Sequence, residues 1–97
     1  MNLNKMLKQA QKMQDQIQRE LAETTVDASV GGGILHVTMN GHKQLLSVKI
    51  DPEAMDPEDP GMLEDLIVAA VNEANRKVDE TMQQKVGSMA PNIPGLF

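Results

Sequence analysis

Apolar residues recur at intervals of three and four in two stretches of this 97-residue chain, and at intervals of two between them. The first spacing is typical of an amphipathic helix, and alternation is typical of a strand with one covered face. The pattern predicts a helix at about residues 3–22, strands at about 24–30, 34–39 and 43–50, and a helix at 61–86. We therefore expect one α+β domain over residues 1–97: a helix, a three-stranded antiparallel meander and a long C-terminal helix.

The long C-terminal helix indicates how the molecule is packed. Its apolar stripe consists of eight residues: Leu63, Leu66, Ile67, Ala70, Val71, Ala74, Val78 and Met82. Over residues 66–71 the helix is apolar nearly all round, because Val68 lies outside the stripe and Ala69 widens it. Such a helix is usually covered on more than one side. One sheet covers one side, and we expect a second copy to cover the other, at Leu66, Ile67, Val68 and Val71.

The predicted meander has one apolar face, which the last helix is expected to cover. The face consists of alternate residues of the second and third strands, namely Leu35, Val37, Met39, Leu46, Val48 and Ile50. Asn40 and Gly41 favour a type I′ turn between these strands, because both tolerate a positive φ. A four-residue loop would give the same shared face. The three glycines at 31–33 lead into a strand, so they predict a turn and not a phosphate-binding loop.

The ends of the long helix carry capping signals. Asp56 and Asp59 are each followed by Pro, as expected of an N-cap and first helical residue. The acidic, Pro-punctuated connection at residues 51–60 is expected to hold at most one helical turn, and it lacks the bidentate Glu of a calcium loop. Gly87 is the predicted C-cap. Residues 88–97 show no periodicity, so we expect a flexible tail.

Composition narrows the class of function. The chain has one Phe, no Tyr, Trp or Cys, and eight Met, so burial per residue is modest and oligomerisation is an effective way to increase it. No apolar run is long enough to span a bilayer, and no signal peptide is evident, which favours a cytoplasmic protein without a membrane partner. His36 and His42 share no strand face, so no metal is expected. No catalytic constellation is present, so we predict no enzyme activity, cofactor or small-molecule substrate.

Charge is distributed unevenly along the chain. The net charge is −5, and residues 51–65 contain seven acids and no base. The first helix carries four cations within an arc of about 60°, opposite its narrow apolar stripe: Lys5, Lys8, Lys12 and Arg19. Such an arc is compatible with an ordinary solvated face. It is also compatible with a row of phosphate contacts.

Four segments carry a resemblance: KMLKQAQKMQ, GGGILHVTMNGHKQLLSVKID, MLEDLIVAAVNEANRKV and the ending PGLF. With them, the chain resembles the YbaB/EbfC family of bacterial nucleoid-associated proteins over nearly its whole length. The resemblance implies a tweezer-like homodimer at the nucleoid that binds DNA with limited sequence preference and takes part in nucleoid organisation and gene regulation. It also implies DNA contacts on the helices, which indicates seven candidates: Lys5, Lys8, Lys12, Arg19, Arg76, Lys77 and Lys85.

Two functional hypotheses follow. The first is a dimer that binds double-stranded DNA mainly through phosphates and alters its conformation, since the chain lacks aromatic residues for stacking single strands. It also lacks a helix rich in Arg and Asn for reading base edges. The alternative is a protein-interaction module that docks a partner through the apolar seam of the N-terminal helix or the acidic loop.

Overall fold

The elements of the chain follow the predicted order. A computed structural model describes residues 2–89, with helices α1 (Leu3–Glu23) and α2 (Pro60–Met89) and strands β1 (Thr25–Val30), β2 (Leu35–Asn40) and β3 (Leu45–Ile50). The strands form one antiparallel sheet in the order β1-β2-β3, and a 3₁₀ turn lies at Pro52–Ala54. The predicted α+β fold is confirmed. Of the predicted tail, residues 88–89 belong to α2, and residues 90–97 lie outside the described residues.

The core lies between α2 and the first two strands. Buried side chains of β1 and β2 meet Ala70, Ala74 and Val78 of α2, which are at most 2% exposed. The remaining five members of the predicted α2 stripe are partly buried against this core. The stripe is therefore confirmed in full. Two of its central residues are alanines, whose small side chains let the helix lie close to the sheet.

The third strand is not covered as expected. Leu45 is 44% exposed and Val48 is 41% exposed, although their partners across the sheet, Met39 and Val37, are buried. A register shift between Thr38 and Met39 places Leu45 opposite Met39, so the predicted position of Leu46 in the shared face is wrong. A helix is about 10 Å wide and strands lie about 4.8 Å apart, so one helix covers about two strands.

The loop between β2 and β3 is organised by a buried asparagine and not by a two-residue turn. Asn40 ends β2, and its Oδ1 accepts hydrogen bonds from the backbone N–H groups of His42 (2.9 Å) and Gln44 (3.0 Å). The one non-glycine residue with a positive φ among residues 2–89 is Lys43, at 64°. The predicted type I′ turn is therefore wrong, and the connection has the four residues 41–44.

Gly41 serves a different purpose from the predicted one. It is buried, and its backbone N–H donates to the carbonyl oxygens of Leu21 (2.8 Å) and Thr24 (3.0 Å). A Cβ added at Gly41 would lie 2.5 Å from the Leu21 oxygen. This position requires glycine because the loop touches the backbone of α1, and the contact fixes where α1 leaves the sheet.

Helix α2 runs antiparallel to β1 and passes the base of α1. Its Leu66 lies near Gly31 at the end of β1, whereas Lys85 Nζ lies 2.8 Å from Thr24 Oγ1 just before β1. Helix α1 projects from this end of the sheet with no buried residue. The molecule is accordingly elongated, 69 Å by 21 Å by 16 Å.

The helix ends agree with the capping signals at one terminus only. Asp59 Oδ1 accepts from the backbone N–H of Met62 at 3.3 Å and caps α2, which begins at Pro60. Asp56 caps a turn before it. The predicted C-cap at Gly87 is wrong, because α2 continues to Met89. A single glycine weakens a helix by about 1 kcal/mol and ends it only where the backbone turns left-handed.

Candidate nucleic-acid interface

The four cations of α1 lie in a row on the exposed face of the projecting helix. We call Lys5, Lys8, Lys12 and Arg19 the basic row. All four side chains are exposed, and the row extends for about 20 Å at 1.5 Å per residue. Within residues 2–89, no carboxylate lies within 4 Å of any of them. The row therefore presents positive charge to solvent and not to the protein itself.

The basic row is most strongly cationic toward the N-terminus of α1. Asp15, Glu20 and Glu23 line the same shallow depression as Lys12 and Arg19. No acid occupies the first turn of α1, where the unsatisfied N–H groups carry partial positive charge. The field of the helix end thus adds to that of the first lysines and is opposed by acids near Arg19.

Arg76 of α2 is held by carboxylates of its own helix. Its Nη2 lies 2.6 Å from Glu73 Oε1 and its Nε donates to Glu73 Oε2 at 3.2 Å, while Nη1 reaches Glu80. The hydrogen bond from Arg76 lowers the pKa of Glu73 below its usual value of 4.5, and the same pair raises the pKa of Arg76. A phosphate would have to compete with two carboxylates for this guanidinium.

The two lysine candidates of α2 make contacts that connect distant elements. Lys77 Nζ donates to the backbone oxygen of Asp27 in β1 at 2.7 Å. Lys85 Nζ donates to Thr24 Oγ1 and lies 3.3 Å from Glu20 Oε2, at the base of α1. The seven predicted candidates therefore do not form one surface: four lie on the open face of α1, and three make contacts with other residues of the same chain.

The four residues predicted for the dimer interface lie on different sides of α2. Leu66 lies on the side of β1, near Gly31, and Ile67 packs against the core. Val71 is partly buried, whereas Val68 is 59% exposed. Val68 shares its side of α2 with Asp79, eleven residues later, whose carboxylate lies 3.0 Å from Lys43 Nζ in the β2–β3 loop. This side therefore faces β3.

The apolar residues of β3 are candidates that the sequence reasoning did not single out. Leu45, Leu46 and Val48 are between 41% and 52% exposed, and Leu45 and Val48 pair with the core residues Met39 and Val37 of β2. We call Leu45, Val48 and Val68 the β3 patch. A comparison of widths would have indicated them, because a single helix is wide enough to cover only about two strands of a three-stranded sheet. Large exposed apolar groups of this kind typically mark contact sites.

The histidines lie apart. His36 is on β2, with Nδ1 2.7 Å from Ser29 Oγ and Nε2 3.5 Å from Asp27 Oδ1, and His42 lies in the β2–β3 loop. Among residues 2–89, no three His, Asp or Glu side chains are grouped as metal ligands would be. No helix in the same range is long and apolar enough to cross a membrane.

A row of exposed cations along a projecting helix is characteristic of proteins that bind a nucleic-acid backbone. Comparison of the sequence with protein families agrees with this class, since the YbaB/EbfC DNA-binding family matches residues 1–93. The chain belongs to the YbaB/EbfC DNA-binding family. The resemblance read from the sequence is thereby confirmed, and the family is one of DNA-binding and not of catalytic proteins.

Similar proteins occur across several bacteria. A nucleoid-associated protein of Moorella thermoacetica is 53% identical over 95% of this chain and 91% of its own. A nucleoid-associated protein of Pelotomaculum thermopropionicum is 48% identical over 99% of this chain and 96% of its own. Among solved structures, an uncharacterized Helicobacter pylori protein, HP0035, matches with a TM-score of 0.74 and 23% identity, covering 92% of this chain and 97% of that one. That likeness supports the fold.

Proposed function

We propose that this chain is a nucleoid-associated protein that binds double-stranded DNA as a homodimer, mainly through phosphate contacts and with low sequence specificity. The observation that carries the proposal is the basic row: four exposed cations without a carboxylate partner among the described residues. Family membership and the names of the relatives support the DNA partner and a place at the nucleoid in the cytoplasm.

The acidity of the chain is compatible with this function. The net charge is −5, but the acidic connection between β3 and α2 lies at the end of α2 remote from α1. Exposed charges separated by more than about 8 Å are largely screened at physiological salt. The basic row can therefore act locally, and the acids limit affinity more than they prevent binding.

Phosphate contacts imply low specificity and strong dependence on salt. Lysine is a flexible point charge that contacts phosphate oxygens without reading bases. In a dimer, two basic rows supply eight cations. A protein that neutralises six to ten phosphates loses about 10³-fold or more in affinity between 50 and 200 mM salt. A bound duplex held by two projecting rods is expected to change its conformation, which is a route to effects on gene expression.

The first test is a salt titration of duplex binding with a variant of the basic row. In the triple variant K5A/K8A/K12A, we expect affinity to fall similarly for all duplex sequences, and the slope of log affinity against log salt to become shallower. The single variant K8A is compared with K49A as its matched control, because K49A also removes one exposed lysine charge but from β3. R76A is a second control, and we expect a smaller loss because Arg76 is already held by Glu73 and Glu80.

The proposal would be overturned by duplex affinity that is unchanged between 50 and 200 mM salt. Loss of binding to one sequence only would indicate base readout in place of phosphate contacts. Helical content and the midpoint of thermal unfolding are measured in parallel, so that a loss of binding is not confused with a loss of fold.

The exposed apolar stripe of α1 supports the second hypothesis, in which the chain is a module that docks a protein partner. Leu3 is 69% exposed and Leu7 is 55% exposed. A variant with the lysines replaced by glutamate separates the two functions, because charge reversal on the opposite face abolishes phosphate contacts and leaves the apolar stripe intact. DNA binding that survives this variant would contradict phosphate contacts through the basic row, whereas a partner that docks on the apolar stripe should still bind.

A further inference from the structure

The hydrogen bonds and ion pairs that join α1 to the rest of residues 2–89 all lie at its last turn, residues 20–24, which we call the base of α1. From the β2–β3 loop, the backbone N–H of Gly41 donates to the carbonyl oxygens of Leu21 and Thr24. Residues 3–16, by contrast, are all exposed. The stretch that carries the first three lysines of the basic row is therefore directed by contacts at the base.

A small change of angle at the base moves the far end of α1 by a large distance. Lys5 lies about 28 Å along the helix from Thr24, at 1.5 Å per residue. A tilt of about 10° at the base thus moves Lys5 by about 5 Å. A charge-assisted hydrogen bond to phosphate requires a separation of about 3 Å. The fit of the basic row to a phosphate backbone consequently depends on how firmly the base is held.

Lys85 of α2 supports the base from a second element. Its Nζ donates to Thr24 Oγ1 at 2.8 Å and lies 3.3 Å from Glu20 Oε2. Glu20 and Thr24 are one helical turn apart, so the ammonium group holds α1 at two points along its axis. The Gly41 contact comes from the loop and the Lys85 contact from α2. Two supports from different elements resist a tilt that either support alone would permit.

The same contacts make Lys85 a poor phosphate ligand. An ammonium group has three N–H donors, and two of them are directed at Glu20 and Thr24. A fully exposed ion pair contributes little, because water and salt screen it. The side chains of Lys85 and Glu20 are each 40% exposed, so their pair is partly shielded from solvent and is retained more firmly than a pair on an open surface.

We propose that Lys85 is a positioning residue, which bridges Glu20 and Thr24 and so holds α1 at the angle at which the basic row meets phosphates. This role rests on the proposed DNA-binding function of that row. A helix already held in its binding orientation loses less conformational entropy when DNA binds. Lys85 therefore raises the affinity for DNA without contacting it.

The angle of α1 is measured in the free protein with two spin labels, because the chain has no cysteine of its own. The variant Q9C/S47C places one label on α1 and the other on β3, and an excess of unlabelled protein restricts the measurement to distances within one subunit. With K85M added, we expect the distance distribution to shift or broaden by about 4 Å, the movement of Gln9 for a tilt of about 10°. K77M is the matched control, because Lys77 lies on the same helix and donates to the Asp27 oxygen of β1.

Duplex binding separates positioning from direct contact. In K85M, we expect the affinity to fall about three- to tenfold, as for loss of a partly exposed ion pair. The slope of log affinity against log salt should stay the same, because the number of neutralised phosphates is the same. E20Q should also bind more weakly than its control E23Q, which removes a carboxylate from the same turn that forms no ion pair within residues 2–89. K85R can donate to the same oxygens and should restore both the distances and the affinity.

Three results would each overturn the positioning role. They are an unchanged distance distribution in K85M, a shallower salt slope in K85M, and tighter binding by E20Q than by E23Q, since a lysine that contacts phosphate would be released by E20Q. The labelled E20Q variant repeats the distance measurement with α2 unaltered, so a loss of helix in K85M does not decide the outcome. The distances are measured without DNA, and their failure leaves the DNA-binding proposal intact. Absence of duplex binding by the unmodified protein would reject both proposals, whatever the distances.

Discussion

Single residues fix the position of α1 relative to the sheet. Gly41 and Thr24 join the β2–β3 loop to the end of α1, and Lys85 of α2 reaches the same point. These contacts link residues far apart in the sequence, so local periodicity gives no sign of them. The direction in which the basic row projects therefore depends on a few backbone and side-chain contacts at the base of the helix.

The glycine at 41 is the most sensitive of these positions. In G41A, the added Cβ would lie 2.5 Å from Leu21 O and 2.8 Å from Leu21 Cα, which are backbone atoms. We expect the free energy of unfolding to fall by about 1–3 kcal/mol, as for overpacked sites, measured by urea unfolding. The control is G61A, whose Cβ meets only Asp59 Oδ1 at 3.7 Å. Equal stability of the two variants would contradict this account of Gly41.

The pair formed by Arg76 and Glu73 has a measurable electrostatic signature. The hydrogen bond from Arg76 lowers the pKa of Glu73 in the folded protein, so the pair stabilises above the unfolded-state pKa. That stabilisation is lost as pH falls through the folded value. In R76Q, we expect the pKa of Glu73 to return toward 4.5, measured by carboxyl NMR titration. R19Q is the control and should leave the Glu73 titration unchanged.

At the scale of elements, periodicity predicted all but the details that depend on tertiary contacts. The α2 stripe was predicted completely, because eight apolar residues at helical spacing leave one arrangement over a sheet. The conformation of the β2–β3 loop was not predicted correctly, because it depends on hydrogen bonds from the loop backbone to the side chain of Asn40. Likewise, the row on α1 was visible on a helical wheel. The engagement of Lys77 and Lys85 was not, since their partners lie 50 and 61 residues away.

Because α2 continues beyond Gly87, replacing this glycine by alanine should stabilise the protein, whereas the same change at a capping glycine should destabilise it. Within a helix, Ala is favoured over Gly by about 1 kcal/mol, whereas at a left-handed C-cap the same substitution is unfavourable. We expect G87A to raise the midpoint of thermal unfolding slightly, measured by circular dichroism at 222 nm. A lowered midpoint would return Gly87 to the role of a helix stop.

At the scale of the whole molecule, exposed apolar side chains of residues 2–89 are grouped on α1 and beside β3. The first group is the apolar stripe of α1, with Leu3, Met6, Leu7 and Met13, and the second is the β3 patch. The sheet has three strands and α2 covers two of them, so the apolar side chains of β3 lack a cover within the described residues. We propose that the second copy adds its cover here, with Val68 and the adjoining Val71 as the part of the predicted interface that faces the partner. Leu66 and Ile67 then support the interface from within the subunit.

A charge placed in the β3 patch tests this assembly. In V48D, dimerisation would bury a carboxylate without a partner, at a cost of several kcal/mol. We expect the dimer dissociation constant to rise at least about 100-fold, equivalent to about 2.7 kcal/mol, measured by analytical ultracentrifugation. S47D is the matched control, because Ser47 neighbours Val48 on the opposite face of β3 and gains the same charge.

Since two basic rows must bind one duplex together, V48D should also weaken DNA binding and halve its salt slope, although every lysine remains. A V48D protein that stays dimeric would place the interface elsewhere, and a monomer with undiminished DNA affinity would show that a single row suffices.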